Sequence, residues 1–146
     1  MTPTTRRLST LALALLSGLT FAAAASAQSL IATVNDSPIT NYDLEQRVRL
    51  LRVLREPASP AAALESIIED RIKATETRKY GINPSAQDAG QELARIAARK
   101  KIPAASLGPA LQSARVDTQH WQDHGRASSA RTSVSLTFTP LLRAET

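Results

Sequence analysis

Ser59-Pro60-Ala61-Ala62-Ala63-Leu64-Glu65-Ser66-Ile67-Ile68-Glu69-Asp70-Arg71-Ile72-Lys73-Ala74-Thr75-Glu76-Thr77-Arg78-Lys79-Tyr80-Gly81 is the stretch on which the fold turns. Ser59 offers a side-chain oxygen suited to a helix N-cap. Pro60, with its fixed φ and missing N–H, suits the first helical position. Leu64, Ile67, Ile68, Ile72 and Thr75 then recur on one face, while Glu65, Glu69, Lys73 and Glu76 hold the other. This spacing is helical, and it predicts a helix over Pro60–Tyr80 with Gly81 just past its end. The apolar stripe must be buried, so its partners are sought on either side.

Upstream, Thr40-Asn41-Tyr42-Asp43 has the spacing of a capping box with Asp in the acidic place. It opens a helix over about Asn41–Arg55, and Ile39 is placed to staple onto Leu44. Leu44, Val48, Leu51 and Leu54 line this helix, and Leu50 and Val53 widen its apolar arc past half the circumference. Such a helix is covered on more than one side. Before it, Ser29–Val34 is a short β-prone run, and Asn35-Asp36-Ser37-Pro38 is turn chemistry.

Downstream, Ser85-Ala86-Gln87-Asp88 is a second capping box, opening a helix to about Lys101 with Ala89, Gly90, Leu93, Ile96 and Ala97 inward. Pro103 interrupts the pattern. A short helix near Ala104–Ala114 carries Leu107 and Leu111, although Gly108-Pro109 is awkward within it. Asp117 or Thr118 caps a fifth helix containing Trp121. Eight of the last 19 residues are Ser or Thr, and Ser133–Thr139 alternates in a strand-like manner. The expected fold is mainly α: a small bundle of about five helices with one short N-terminal β-strand, and a C-terminal strand as an option.

The length of 146 residues allows one domain. Hydrophobic residues make up 42%, and 25 residues are alanine, so the core is built from small and aliphatic side chains. The chain has no cysteine, which excludes disulfides, thiolate zinc sites and a thiol nucleophile. Arg6 and Arg7 precede the uncharged run Leu8–Ala24, and Ala25-Ser26-Ala27 supplies a small-x-small ending. That is the order of a secretory signal peptide cleaved after Ala27. An uncleaved anchor is the rival, weakened by Ser17, Gly18 and Thr20. The Leu/Ala-rich run fits bacterial export, so the periplasm is the expected compartment, with no stable membrane insertion after cleavage. Residues 1–27 are then the signal, 28–126 a helical domain and 127–146 a Ser/Thr-rich tail that is disordered or truncated. Beyond residue 27 lie 16 of the 18 basic residues and all 13 acidic ones, for a net charge of +3. A charge so modest argues against a nucleic-acid partner.

His120 and His124 share a helical face at i and i+4, a spacing that suits two zinc ligands. The segment between them lacks the Glu of a zincin and no third ligand is evident, so solvated or capping histidines are the expected reading. Glu69 and Asp70 point to adjacent helix faces rather than into one pocket. No Gly-x-Ser-x-Gly elbow and no Gly-rich phosphate loop occurs. Arg47, Arg49, Arg52 and Arg55 are spread around their helix, as a solvated face would be. Catalytic residues, metal ligands and cofactors are therefore not expected. What remains is a surplus of apolar helical surface, belonging either to an ordinary core or to a groove for apolar segments of another chain.

Ile31-Ala32-Thr33-Val34-Asn35-Asp36-Ser37-Pro38-Ile39-Thr40, followed by Asp43-Leu44, resembles the opening of SurA-type periplasmic chaperones. Leu64-Glu65-x-x-Ile68-x-x-x-Ile72, the ending Tyr80-Gly81-Ile82, Ser85-x-x-Asp88 and Asp117…Trp121…Arg126 are also similar to that family. The likeness spans about Leu30–Arg126. It implies a helical N-terminal module that binds unfolded outer-membrane proteins without a cofactor. Leu50, Val53, Leu54, Leu107, Leu111 and Trp121 are the candidate peptide-binding residues, chosen for apolarity beyond the main stripes, with the core as their other reading. Nothing resembles the parvulin domains of full-length relatives, so isomerase activity is not implied. Arg115 stands where a helix-ending Gly is expected, and Gly125 where an apolar residue would extend the Trp121 stripe. The alternative function is a non-catalytic helical subunit or adaptor that needs a partner to complete its core.

Overall fold

The computed structural model describes residues 29–143, with side chains as far as Ser133. The expected signal segment, residues 1–27, lies outside the described residues. The chain is mainly helical: a hairpin of β1 (Leu30–Val34) and β2 (Ser37–Thr40) leads into α1 (Asn41–Val53), α2 (Pro60–Lys79), α3 (Ala86–Arg99), α4 (Ala104–Ser113) and α5 (Thr118–Arg143).

The expected single strand is thus half of an antiparallel pair, with Val34 opposite Ser37, Thr33 opposite Pro38 and Ala32 opposite Ile39. Asn35 and Asp36 form the two-residue loop with φ of 47° and 62°. These are the left-handed values a tight hairpin turn requires and that Asn and Asp tolerate. Pro38 follows the closing pair, at a position where the backbone nitrogen faces away from β1, so its missing N–H costs no ladder bond.

The capping chemistry forms as the spacing predicts. Thr40 Oγ1 accepts from the Asp43 amide at 3.2 Å, and Asp43 Oδ2 accepts from the Thr40 amide at 2.8 Å. Ser85 and Asp88 repeat the arrangement at α3, and Ser59 accepts from the Ala62 amide at α2. The C-termini of α1 to α4 all close in one way. The residue three past each last helical position donates to the third-last helical carbonyl: Glu56 to Leu51, Ile82 to Thr77, Ile102 to Ala97 and Val116 to Leu111. This closure places the intervening residue in left-handed conformation. Gly81 meets the demand without strain, while Arg55, Lys101 and Arg115 occupy it with φ of 55°, 57° and 53°. Lys101→Gly and Arg115→Gly are each expected to add about 0.5–1 kcal/mol of stability, read as an upward shift of the urea midpoint. A drop in the midpoint would contradict the assigned conformation.

The core joins Leu50 and Leu54 of α1 to Leu93, Ile96 and Ala97 of α3, Leu107 and Leu111 of α4, and Ile102 and Val116 from the connections. Leu107 and Leu111 are buried despite Pro109 inside α4, so tertiary packing outweighs a poor local sequence. Where α3 meets α5, Gly125 lies against Ala89, and a Cβ at 125 would stand 2.4 Å from the Ala89 carbonyl oxygen. The absence of an apolar side chain there reflects a backbone approach that only glycine permits.

The strand option at Ser133–Thr139 is corrected: α5 runs through those residues to Arg143. The helix also crosses residue 126 without a break, with Ala127 and Ala130 buried beyond it. A helix already begun and docked extends at little cost, which overrides the local β-preference of alternating Ser and Thr. No helix among the described residues is long and apolar enough to cross a membrane.

Candidate functional site

Helix α1 contributes Asp43 and Arg47, α2 contributes Ser66 and Asp70, and α5 contributes His120 and His124. Arg47 is 5% exposed, Asp70 7% and His124 8%, so three ionisable groups meet inside the bundle. Arg47 Nη1 donates to Asp70 Oδ2 at 2.6 Å and to Ser66 Oγ at 2.7 Å. Those two bonds use both protons of that nitrogen. His124 Nδ1 lies 2.7 Å from Asp70 Oδ2 and 3.0 Å from Arg47 Nη1. With no Arg47 proton left for it, Nδ1 carries its own hydrogen and donates to the carboxylate. Burial by itself would raise the Asp70 pKa, but the bond and charge of His124, and then those of Arg47, outweigh it and hold the carboxyl below its ordinary value.

One turn earlier on α5, His120 Nε2 bonds Asp43 Oδ1 at 2.8 Å, and the Tyr42 ring meets the imidazole edge-on at 5.3 Å. Asp43 therefore serves both the cap of α1 and the docking of α5. Its pKa is also lowered: burial opposes this, but the Thr40 amide, the Thr40 hydroxyl and His120 prevail. Gln46 Oε1 accepts from the Asp117 amide at 2.7 Å, fixing the start of α5 against α1.

Two sequence expectations are corrected here. Neither histidine is simply solvated or capping, since each is spent on a carboxylate of a different helix. Among the described residues no group of three or more metal-ligating side chains occurs. Arg47 is not part of a solvated face. Glu69 is outward and paired with Lys73 at 2.8 Å, whereas its neighbour Asp70 is inward, as adjacent positions on a helix require.

The six candidate peptide-binding residues also need correction as a surface. Leu50 and Leu54 are fully buried, Leu107 and Leu111 are buried beside them, and Val53 and Trp121 pack against the same cluster. The breadth of the apolar arc on α1 is explained by its contacts with α2, α4 and α5 at once. These side chains hold the fold together, and the clefts described for the bundle are lined by other residues.

A groove exists elsewhere. A cleft of about 430 Å³ lies between α2 and α5, with Ile67, Ala74, Ile82, Pro84, Ala127 and Ala130 among its apolar lining and Arg71, Arg78 and Arg126 among its polar lining. Asp70 and Arg47 reach it from within the bundle. A second cleft of about 470 Å³ runs along the other side of the α2–α5 contact, lined chiefly by charged and hydroxyl side chains. The sequence signal for the first cleft is the pair of small residues Ala127 and Ala130, which lie on α5 rather than in a tail. No family model matches the chain, and no curated protein or solved structure matches it either.

Proposed function

We propose that the protein is a periplasmic chaperone module that shields segments of unfolded outer-membrane proteins, using the α2–α5 cleft as its contact surface. The carrying observation is the cleft itself, where the small, half-buried Ala74 leaves room for a guest side chain above the buried Ala127 and Ala130. The order of SurA-like motifs from the hairpin to the start of α5, behind a segment with the pattern of an export signal, supports the same reading. The work needs no catalytic group or cofactor. Contact with a small apolar area is weak and reversible, so a client is shielded from aggregation and still released to fold.

The test is to express the full chain in a bacterial host, recover it from the periplasm and dilute a denatured outer-membrane protein into it while following light scattering. Suppression near equimolar ratio is the expected result, and mass spectrometry should read loss of residues 1–27. A folded, processed chain that leaves aggregation unchanged would end this reading.

The adaptor reading draws on a different observation: Leu30, Ile31 and Tyr42 expose apolar surface around the hairpin. It requires that the chain alone melt without cooperativity, whereas the chaperone reading requires a cooperative melt.

A further inference from the structure

The geometry points to an extended peptide of the pattern acid–x–apolar–x–acid as the occupant of the α2–α5 cleft, its two carboxylates seated on Arg71 and Arg78. The inference rests on the chaperone reading and specifies what that cleft selects.

The charges lining the cleft fall into two groups. Arg47 is spent on Asp70, Asp43 on His120 and Thr40, and Asp123 on Arg126 at 3.0 Å. Arg71 and Arg78 have no carboxylate partner among the described residues. The positions three and four away on α2 explain this, for Arg71 meets Ile67, Ile68, Ala74 and Thr75, and Arg78 meets Ala74, Thr75, Gly81 and Ile82. Elsewhere the same helix pairs its charges, with Lys73 on Glu69 at 2.8 Å and Lys79 on Glu76 at 2.6 Å. Among the described residues, the unpaired cations of α2 are therefore both on this cleft, while the unpaired Glu65 lines the second one.

Arg78 is also oriented. Its Nε donates to the Ala74 carbonyl at 2.9 Å, which lays the guanidinium along the helix and leaves both terminal nitrogens for a ligand. A planar fork of this kind matches a carboxylate. Arg71 and Arg78 are seven residues apart, so their Cα atoms are separated by about 10.5 Å along one face. Ala74 lies between them, with Ala127 and Ala130 across the cleft. In an extended peptide, side chains at i and i+4 share a face about 13 Å apart, with i+2 midway. Two arginine side chains can span that difference, and the midway residue then meets the half-buried Ala74. An apolar residue at that point buries surface, and a charged one would be desolvated without a partner.

The experiment is fluorescence anisotropy with the full processed chain and three labelled peptides: Gly-Ser-Asp-Thr-Leu-Thr-Asp-Ser-Gly, the same with both Asp replaced by Lys, and the same with Leu replaced by Ser. The first is expected to bind about tenfold more tightly than the second, an effect that weakens with added salt. The third should fall below the first. In the Arg71→Glu/Arg78→Glu variant, which changes one half-buried and one exposed side chain, the preference should invert toward the Lys peptide. The Arg71→Gln/Arg78→Gln variant should abolish the preference if the reversal variant does not fold. Equal binding of the Asp and Lys peptides, or a preference unchanged in the variants, overturns the inference. If aggregation is still suppressed, the chaperone reading survives that failure; if suppression is also absent, both fall. Full competition by inorganic phosphate, or by vesicles of anionic phospholipid, at matched charge concentration would show a general anion site and also overturn the peptide assignment.

Discussion

Asp70→Ala is expected to lower folding stability by about 3–5 kcal/mol, because it leaves the Arg47 guanidinium buried without its carboxylate. A domain commonly has only about 5–15 kcal/mol in total, so the variant should unfold at far lower urea, read by circular dichroism. The intact cluster does not add stability on the same scale, since desolvation offsets much of the attraction between the charges. Replacing all three members together, as Arg47→Met, Asp70→Leu and His124→Leu, should therefore leave stability near that of the parent. A loss below about 1 kcal/mol for Asp70→Ala would mean that the Arg47 charge reaches water. The acid response follows in sign. Asp70 has a lowered pKa in the fold, so its contribution is present above the ordinary carboxyl value of about 3.9 and is lost as pH falls through the folded value. Asp43 acts in the same direction. The parent should lose stability below about pH 4, and Asp70→Asn should show a flatter, though not flat, acid limb.

Gly125→Ala is expected to cost about 3 kcal/mol, which is large for one added methyl. The new carbon would stand 2.4 Å from the Ala89 carbonyl oxygen and 2.9 Å from the Ala89 carbonyl carbon. Both atoms belong to the backbone of α3, so no side chain can swing aside, and α3 and α5 must part. Gly90 provides the contrast, since a Cβ there meets nothing within 4 Å. Gly90→Ala should add about 0.5–1 kcal/mol through the lower chain entropy of alanine. The same pair of urea titrations reads both outcomes, and a Gly125→Ala chain as stable as the parent would refute the close crossing.

Local signals in the sequence are legible where one residue decides one bond. Thr40, Ser59 and Ser85 all cap as their spacing predicts, and Gly81 lies in left-handed conformation. Roles that depend on distant partners are less legible. Arg47 sits on the face shared by Leu50, Leu51 and Leu54, and Asp70 shares a stripe with Ala63, Ile67 and Thr77. A charge on a buried stripe was a readable sign of pairing, but its partners are separated by 23 and 77 residues. The wide apolar arc of α1 implied several contacts without saying whether they were internal. The Ser/Thr alternation after Arg126 signals a strand only locally, because the docked helix that precedes it carries the chain on as α5.

The clamping of α5 has a bearing on the order of events during synthesis. Hairpin, α1 and α2 emerge first, yet His120 and His124, which join Asp43 and Asp70 to α5, come 77 and 54 residues after those partners. Ala89 and Leu93 likewise await the last helix to complete the α3–α5 seam. A nascent chain therefore remains open through most of its length and closes in a late step, when the loop cost of distant contacts is at last repaid. Under the proposed periplasmic role, in which the chain is threaded unfolded through a narrow pore, such a delay would be an advantage.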